Sequence, residues 1–294
     1  MAAPAAPSVP AVQRPWHGIA LVIIGAFCFS LAIPLVRWTD GLATPAIAFY
    51  RALFAFMFLC MLITRHREPV QFATYRASMR RLLVLGVAVS MTVVLYTYSI
   101  QHTTAANAAL LVNSAPIYVA VLAPLVLHEA RARYTWISLG LAVIGIVCVS
   151  GPTHLDFDSL DGIAAGALSG AVYSVVLMLS RSLKGKVSGL TQNLWSNGMV
   201  ALLLIPWAIQ APAATVIDNL PVLIPLGVFS LGLSYLLYFQ GLQRVSAQVV
   251  SVVALFEPLS GAVMGLVFFG EIPDLIGWIG AALILASIYL ISVE

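Results

Sequence analysis

The sequence has very little charge. Only 9% of its 294 residues are Asp, Glu, Lys or Arg, whereas 61% are hydrophobic. A water-soluble domain carries about 25% charged residues, so this chain cannot cover a globular surface and a soluble enzyme is excluded. The same excess of apolar residues excludes a disordered protein. A helical membrane protein with several spans is the class that remains.

Cysteine and catalytic motifs are scarce as well. Cys28, Cys60 and Cys148 all lie inside apolar runs, and an odd, buried set argues against a disulfide framework or a cysteine metal site. The sequence contains no H-E-x-x-H, G-x-S-x-G or P-loop pattern, each of which would indicate a particular chemistry. We therefore expect no metal, no cofactor and no enzyme active site. An ATP-driven pump would need a separate subunit.

Ten long apolar runs follow an Ala- and Pro-rich tail, residues 1–14, which we expect to be flexible. The runs are continuous rather than alternating and are long enough to cross a bilayer, so they predict transmembrane helices. They lie near residues 16–36, 45–64, 82–101, 105–127, 134–150, 160–180, 188–209, 220–242, 246–269 and 274–292. Twelve of the 14 basic residues fall on the side of the tail. The positive-inside rule then places both termini in the cytoplasm.

The two halves of the chain resemble each other. Pro116 and Pro258 are 142 residues apart, and so are Tyr96 and Tyr238. Because each half holds five predicted spans, an odd number, the halves would be inverted relative to each other around a shared central cavity. The predicted units are residues 15–151 and residues 158–294. This architecture is typical of secondary transporters.

Three segments carry a family resemblance: Phe49-Tyr50-Arg51, Asn113-Ser114-Ala115-Pro116, and Phe256-Glu257-Pro258-Leu259. They resemble the EamA-type permeases of the drug/metabolite transporter superfamily, and the whole chain after the tail is similar to bacterial exporters of aromatic and other hydrophobic amino acids. The resemblance implies two five-helix repeats, a bacterial inner (plasma) membrane location and export as the direction. The first half departs from the second, since Ala115 stands where the second half has Glu257.

The resemblance favours a secondary exporter of aromatic and large hydrophobic amino acids that works by alternating access. An exporter of other small metabolites or of cationic drugs is the alternative on the same scaffold, and a channel is a weaker one. The expected partners are a small-molecule substrate and the lipid bilayer, without nucleic acid. A monomer is compatible with this interpretation, and the sequence leaves the oligomeric state open.

Polar side chains inside apolar spans usually face a cavity or a neighbouring helix. Two aromatic-polar stripes, in the third and eighth runs, would suit a zwitterion with an apolar side chain. The alternative is that these groups hydrogen-bond between helices. The candidate cargo-contacting residues are Thr92, Tyr96 and Ser99 in the third run, Asn107, Ser114 and Tyr118 in the fourth, Tyr173 in the sixth, Ser234, Tyr235 and Tyr238 in the eighth, and Gln248 in the ninth.

Two charges lie inside predicted spans. Glu257 is either a proton carrier or a structural acid where Pro258 disturbs the helix. The structural role is favoured, because one continuous helix would place Glu257 nearly opposite Gln248. Arg51 can snorkel, bind carbonyls at a helix end, pair with an acid or hold a cargo carboxylate.

Prolines and amides inside the runs have further alternatives. Pro34, Pro116 and Pro258 are hinge candidates, or equally static bends. For the polar group in the seventh run we expect lateral hydrogen bonds between helices. The members of this group are Gln192, Asn193 and Asn197.

Overall fold

The computed structural model describes residues 15–66, 72–102, 108, 111–127, 134–150, 160–269 and 275–292. All regular secondary structure in these ranges is helical, which confirms the predicted all-α class. The helices of the first half are α1 (Pro15–Ser30), α2 (Ala32–Arg37), α3 (Thr44–His66), α4 (Phe72–His102), α5 (Ala115–Val126) and α6 (Thr135–Ser150).

The second half has a π-helical segment in place of one continuous helix. Its elements are α7 (Leu160–Ser182), α8 (Gly189–Ala208), α9 (Ala213–Gly227), the π segment (Val228–Leu233), α10 (Ser234–Leu242), α11 (Ala247–Val253), α12 (Phe256–Phe269) and α13 (Leu275–Ser292).

Among the described residues, six helical stretches are long and apolar enough to cross a membrane, and three further apolar helices are shorter. The six are 16–37, 44–65, 76–102, 160–182, 213–242 and 247–268. Helix in the described ranges overlaps every one of the ten predicted runs. The chain is therefore a multi-pass helical membrane protein, while the count of ten crossings stays a prediction.

Three of the predicted runs contain a break in the helix. The first divides at Leu31, between α1 and α2, one turn before Pro34. Proline has no N–H to donate to the carbonyl four residues earlier, which explains the position of this break. The fourth run has a turn just before α5, and the ninth divides between α11 and α12. Pro116 and Pro258 follow these last two breaks, near the start of α5 and α12, where a missing N–H does no harm.

Helices from the two halves pack in pairs. Helix α3 packs on α8, α6 on α13, α1 on α10 and α4 on α7. In the last two pairs a glycine lets the backbones approach closely. A Cβ atom added to Gly18 of α1 would lie only 3.0 Å from Cβ of Arg244, and a Cβ atom added to Gly162 of α7 would lie only 2.7 Å from the carbonyl oxygen of His102. The glycines are 144 residues apart and their partners 142. The two contacts are thus equivalent positions of the two halves.

The turns before α3 and α8 are also equivalent. Gly41 and Gly185 have φ angles of 66° and 73° and are again 144 residues apart. Only glycine adopts this left-handed region without a steric penalty. The same residue type is therefore required at the same turn in both halves.

Candidate functional site

A cluster of buried aromatic rings occupies the centre of the described bundle. Phe29 of α1 is its hub, with ring centroids 6.0 Å from Tyr96, 6.4 Å from Tyr173, 5.6 Å from Tyr235 and 6.4 Å from Tyr238. All five side chains are less than 7% exposed. The four tyrosines were each predicted from their own stripes, and the structure brings them together.

Phe29 was not predicted. It lies inside an apolar run and has no polar atom, so nothing in the sequence separates it from the other core residues of α1. Its place at the hub follows from the fold, because α1 packs against α10 and carries Phe29 between the tyrosines of three other helices. Aromatic pairs at tilted or edge angles are worth about 0.5–1.5 kcal/mol each beyond their buried area. The cluster is thus a stable apolar surface that carries phenolic groups.

A carboxylate and a guanidinium group lie next to the cluster. The Tyr96 hydroxyl donates a hydrogen bond to Oε1 of Glu257 over 3.1 Å, and the Glu257 side chain is 3% exposed. The guanidinium of Arg51 lies 5.7 Å from the ring centroid of Phe29 and is fully buried. The core therefore holds a cation and a carboxylate beside the same five rings.

The π segment positions the arginine. Ser230 lies within it, and its Oγ accepts a hydrogen bond of 2.9 Å from Nε of Arg51. In a π segment the backbone carbonyls no longer face the N–H groups that they would meet in an α-helix. Side chains donate hydrogen bonds to them instead. The Nδ2 group of Asn193 donates to the carbonyl of Gly232 at 2.7 Å, and the Ser234 hydroxyl donates to that of Ser230 at 2.6 Å. Ser230 was missed by the sequence analysis.

Two amides of α8 form the lateral hydrogen bonds between helices that we expected. Asn193 donates to the π segment, and Gln192 accepts from the Ser180 hydroxyl of α7 at 2.6 Å. Asn197 instead donates to Oδ1 of Asn193 at 2.7 Å, within α8 itself. All of these groups are fully buried. The prediction is confirmed for Gln192 and Asn193 but not for Asn197.

Several other predicted residues are buried but bonded within the protein. The Thr92 hydroxyl donates to the carbonyl of Ala88 in its own helix at 2.9 Å. The Oε1 atom of Gln248 accepts a bond of 3.0 Å from the Thr135 hydroxyl, which joins α11 to α6. Tyr118, in contrast, is 38% exposed. Asn107 lies outside the described residues.

Two of the predicted serines pack against glycines of α7. Ser99 is fully buried beside Gly166, and Ser114, in the turn before α5, contacts Gly170. Neither hydroxyl has a hydrogen-bond partner among the described residues. Both hydroxyls are therefore buried donors that no described residue satisfies.

The break in the ninth run changes the reasoning about Glu257. One continuous helix would place Glu257 opposite Gln248. The helix instead ends at Val253 and starts again at Phe256, so the expected opposite placement does not hold. The carboxylate faces Tyr96 and the ring cluster.

The two ends of the bundle differ at equivalent positions. At one end Nη1 of Arg181 donates to the carbonyl of Leu242 at 2.6 Å, and the Gly185 N–H donates to Oε1 of Gln243 at 3.1 Å. These bonds tie the end of α7 to the end of α10. We call this pair of bonds the α7–α10 latch.

At the other end, the counterparts of the latch residues line a cavity. Arg37, Ile100 and Gln101 correspond to Arg181, Leu242 and Gln243. With Val36 and Thr39 they surround a space of about 380 Å³, and Gln101 accepts from the Thr44 hydroxyl instead. No hydrogen bond joins Arg37 to Ile100 in the part of the chain that the structure describes.

Comparison with known proteins gives relatives along the whole chain. An uncharacterized transporter of Archaeoglobus fulgidus is 29% identical over 273 residues, 92% of this chain and 95% of that protein. The pseudopaline exporter CntI of Pseudomonas aeruginosa is 25% identical over 279 residues, 94% of this chain and 95% of that protein. One solved crystal structure shares the fold with a TM-score of 0.77 at 13% identity, covering 94% of this chain and 97% of its own.

The family assignment rests on a match to each half. The model of the EamA-like transporter family matches residues 16–151 and again residues 160–293. The matches cover nearly all of the sequence after the tail and confirm the resemblance drawn from its motifs. The chain therefore belongs to the EamA-like transporter family and is a multi-pass membrane transporter of a small-molecule cargo.

Proposed function

We propose that the protein exports amino acids with aromatic or large hydrophobic side chains across a bacterial inner membrane by alternating access. One observation carries the proposal: the buried ring cluster around Phe29 adjoins the carboxylate of Glu257. The rings match an apolar side chain, and carboxylate and phenolic oxygens match an ammonium group. A purely polar or purely apolar cargo would need no such combination.

The proposed architecture is ten spans in two inverted units, residues 15–151 and 158–294, with both termini in the cytoplasm. Three findings support it. The family model matches twice, the contacts of Gly18 and Gly162 are equivalent, and the α1–α10 pair corresponds to the α7–α4 pair. Basic residues concentrated on one side support the orientation,.

The proposed transport cycle exchanges the states of the two ends. We assign the closed state to the proposed cytoplasmic end, which the α7–α10 latch joins, and the open state to the end where Arg37 lines a cavity. In an inverted repeat, the opposite state follows when the two halves swap conformations. Arg37 would then donate to the carbonyl of Ile100, and Arg181 would release that of Leu242.

The proposed cargo site keeps all the residues named from the sequence, in two groups. The aromatic group is Tyr96, Tyr173, Tyr235 and Tyr238, with Tyr118 at the outer edge. The polar group is Thr92, Ser99, Asn107, Ser114, Ser234 and Gln248. The free hydroxyls of Ser99 and Ser114 make those two the stronger members of the polar group.

The test is flux in proteoliposomes. Labelled Phe, Trp and Thr and a cationic drug are compared, with and without a pH gradient. We expect saturable Phe and Trp transport with counter-exchange, which a channel would not show. Tyr96→Ala and Tyr238→Ala should lower Phe flux at least about 10-fold, because each removes an aromatic contact and opens a cavity. Tyr289→Ala, 67% exposed on α13, is the matched control. If Phe flux is unchanged in both Tyr96→Ala and Tyr238→Ala, the proposed site is refuted.

Export of another small metabolite is the second candidate. The Pseudomonas aeruginosa relative is named a pseudopaline exporter, which favours a metabolite cargo over a drug. Competition separates the two candidates. The metabolite would be favoured if excess unlabelled pseudopaline abolishes Phe flux and if pseudopaline itself shows saturable uptake at a lower concentration than Phe does.

Glu257 has two proposed roles, proton carrier and structural acid. Its hydrogen bond from Tyr96 suits both. A Glu257→Gln variant keeps the size and one acceptor oxygen but cannot release a proton. Loss of gradient-driven flux with counter-exchange retained would assign the carrier role, and full gradient-driven flux would assign the structural one.

A further inference from the structure

Arg51 carries hydrogen-bonding capacity that the fold does not use. It lies two turns into α3 and its side chain is fully buried. Only Nε is engaged, by Ser230 of the π segment. The terminal nitrogens Nη1 and Nη2 are buried and have no hydrogen-bond partner among the described residues, and no carboxylate forms an ion pair with Arg51 in that part of the chain.

A purely structural arginine would not be left in this state. A buried charge without a partner is strongly destabilising, and arginines inside membranes are normally paired or directed to a water-filled cavity. The Phe29 ring, 5.7 Å away, offsets part of the charge through its π face,, but it accepts no hydrogen bond from the terminal nitrogens in the way an oxygen would. The charge of Glu257 acts on Arg51, but the described residues supply no acceptor for Nη1 or Nη2, which leaves both donors for an anionic ligand.

The geometry of the free nitrogens selects the kind of anion. The bond from Nε to Ser230 holds the guanidinium in one orientation. Nη1 and Nη2 then present a planar fork, which matches the two oxygens of a carboxylate. An isolated point charge such as lysine would not supply this match.

We propose that Arg51 binds the carboxylate of the transported amino acid through Nη1 and Nη2. The proposal rests on the proposed function and specifies its cargo: an α-amino acid with a free carboxylate. Glu257 also borders the ring cluster, through its hydrogen bond from Tyr96, and its charge interacts with that of Arg51. An α-amino acid carries its ammonium and carboxylate groups on one carbon atom, so Glu257 and Arg51 would hold these two groups side by side. A cation without a carboxylate leaves the arginine unpaired and is rejected.

The first test needs no variant. Phe, phenethylamine (no carboxylate) and 3-phenylpropionate (no ammonium group) compete with labelled Phe in proteoliposomes, and each is tested for thermal stabilisation of the purified protein. We expect phenethylamine to compete at least about 10-fold more weakly than Phe, because it lacks the charged hydrogen bonds to Arg51. Equal competition would overturn the carboxylate site while leaving amino-acid export intact. Absence of both Phe flux and Phe stabilisation would overturn the proposed function and this inference together.

The second test uses Arg51→Lys and Arg51→Gln. We expect Arg51→Gln to remove the preference for Phe over phenethylamine, and Arg51→Lys to keep part of it, since lysine keeps the charge but loses the fork. Arg244→Gln is the matched control, because Arg244 is exposed and donates within its own chain segment to Gln240. A preference that survives in Arg51→Gln would contradict the assignment. If these variants fail to fold, the analogue series on the unaltered protein still decides the question.

Discussion

The α7–α10 latch makes a quantitative prediction about the balance between the two transport states. Arg181→Gln removes the charged hydrogen bond to the carbonyl of Leu242. Hydrogen bonds to charged groups contribute about 1.5–3 kcal/mol, and because this one is only partly buried we take about 1–2 kcal/mol. If the bond exists only in the state described, its loss raises the population of the opposite, inward-open state by roughly 5- to 30-fold.

Leu183 is the reporter for that state. It is the counterpart of Thr39, which lines the open cavity at the other end, and its side chain is fully buried. In a background in which the three native cysteines are replaced, Leu183→Cys is labelled with a membrane-impermeant maleimide from the cytoplasmic side. Because labelling follows the minor state, its rate should rise by the same factor when Arg181→Gln is added.

Arg37→Gln provides the control with the opposite sign. Its proposed bond to the carbonyl of Ile100 forms only in the inward-open state, so its removal should lower the labelling of Leu183→Cys. An unchanged rate in Arg181→Gln would refute the latch. An equal rise in both variants would show that any loss of arginine loosens the bundle, and the reasoning from symmetry would fail.

Two further predictions concern stability and are measured as thermal midpoints in detergent. Gly170→Ala should lower the midpoint, because the new Cβ would overlap the carbonyl oxygen of Leu111 and overpacking costs about 1–3 kcal/mol. Gly140→Ala is the control and should leave the midpoint unchanged, since nothing lies within 4 Å of its Cβ. Equal midpoints for the two variants would contradict the packing. Asn193→Leu should also lower the midpoint, because it leaves the carbonyl of Gly232 without its donor. An unsatisfied buried acceptor costs about 1–3 kcal/mol of folding free energy. An unchanged midpoint would show that the π segment does not need this hydrogen bond.

The fold was largely predictable because its signals are repeated along the chain. Continuous apolar runs predict helices independently of their neighbours, and every described element is helical. The breaks were less accessible. Pro34, Pro116 and Pro258 marked where they occur, but proline alone does not distinguish a bend from an interruption. The π segment had no prediction at all, because its register depends on the donors of Asn193 and Ser234 from the surrounding structure.

The candidate site was predictable where polar atoms stand out in an apolar run. Tyr96 and Tyr238 were found in this way, and the structure places them around one ring. Phe29 and Ser230 were not, because phenylalanine is ordinary in a span and serine is common at helix contacts. The state of Arg51 was also beyond the sequence. Whether a buried arginine is paired depends on what the other helices bring to it, and the residues alone left four alternatives open.

The proposed cargo site and the α7–α10 latch lie on the same helices, which bears on how cargo binding would drive the proposed change of state. A ligand shifts an equilibrium only by its difference in affinity for the two states. Tyr238 and Leu242 lie on the same α10, about 6 Å apart along its axis,, and Phe29 stands two residues before the break at Leu31. If a cargo side chain displaces these rings, it would therefore move the helices that end at the α7–α10 latch and at the cavity around Arg37. No longer relay through the bundle is required for the coupling.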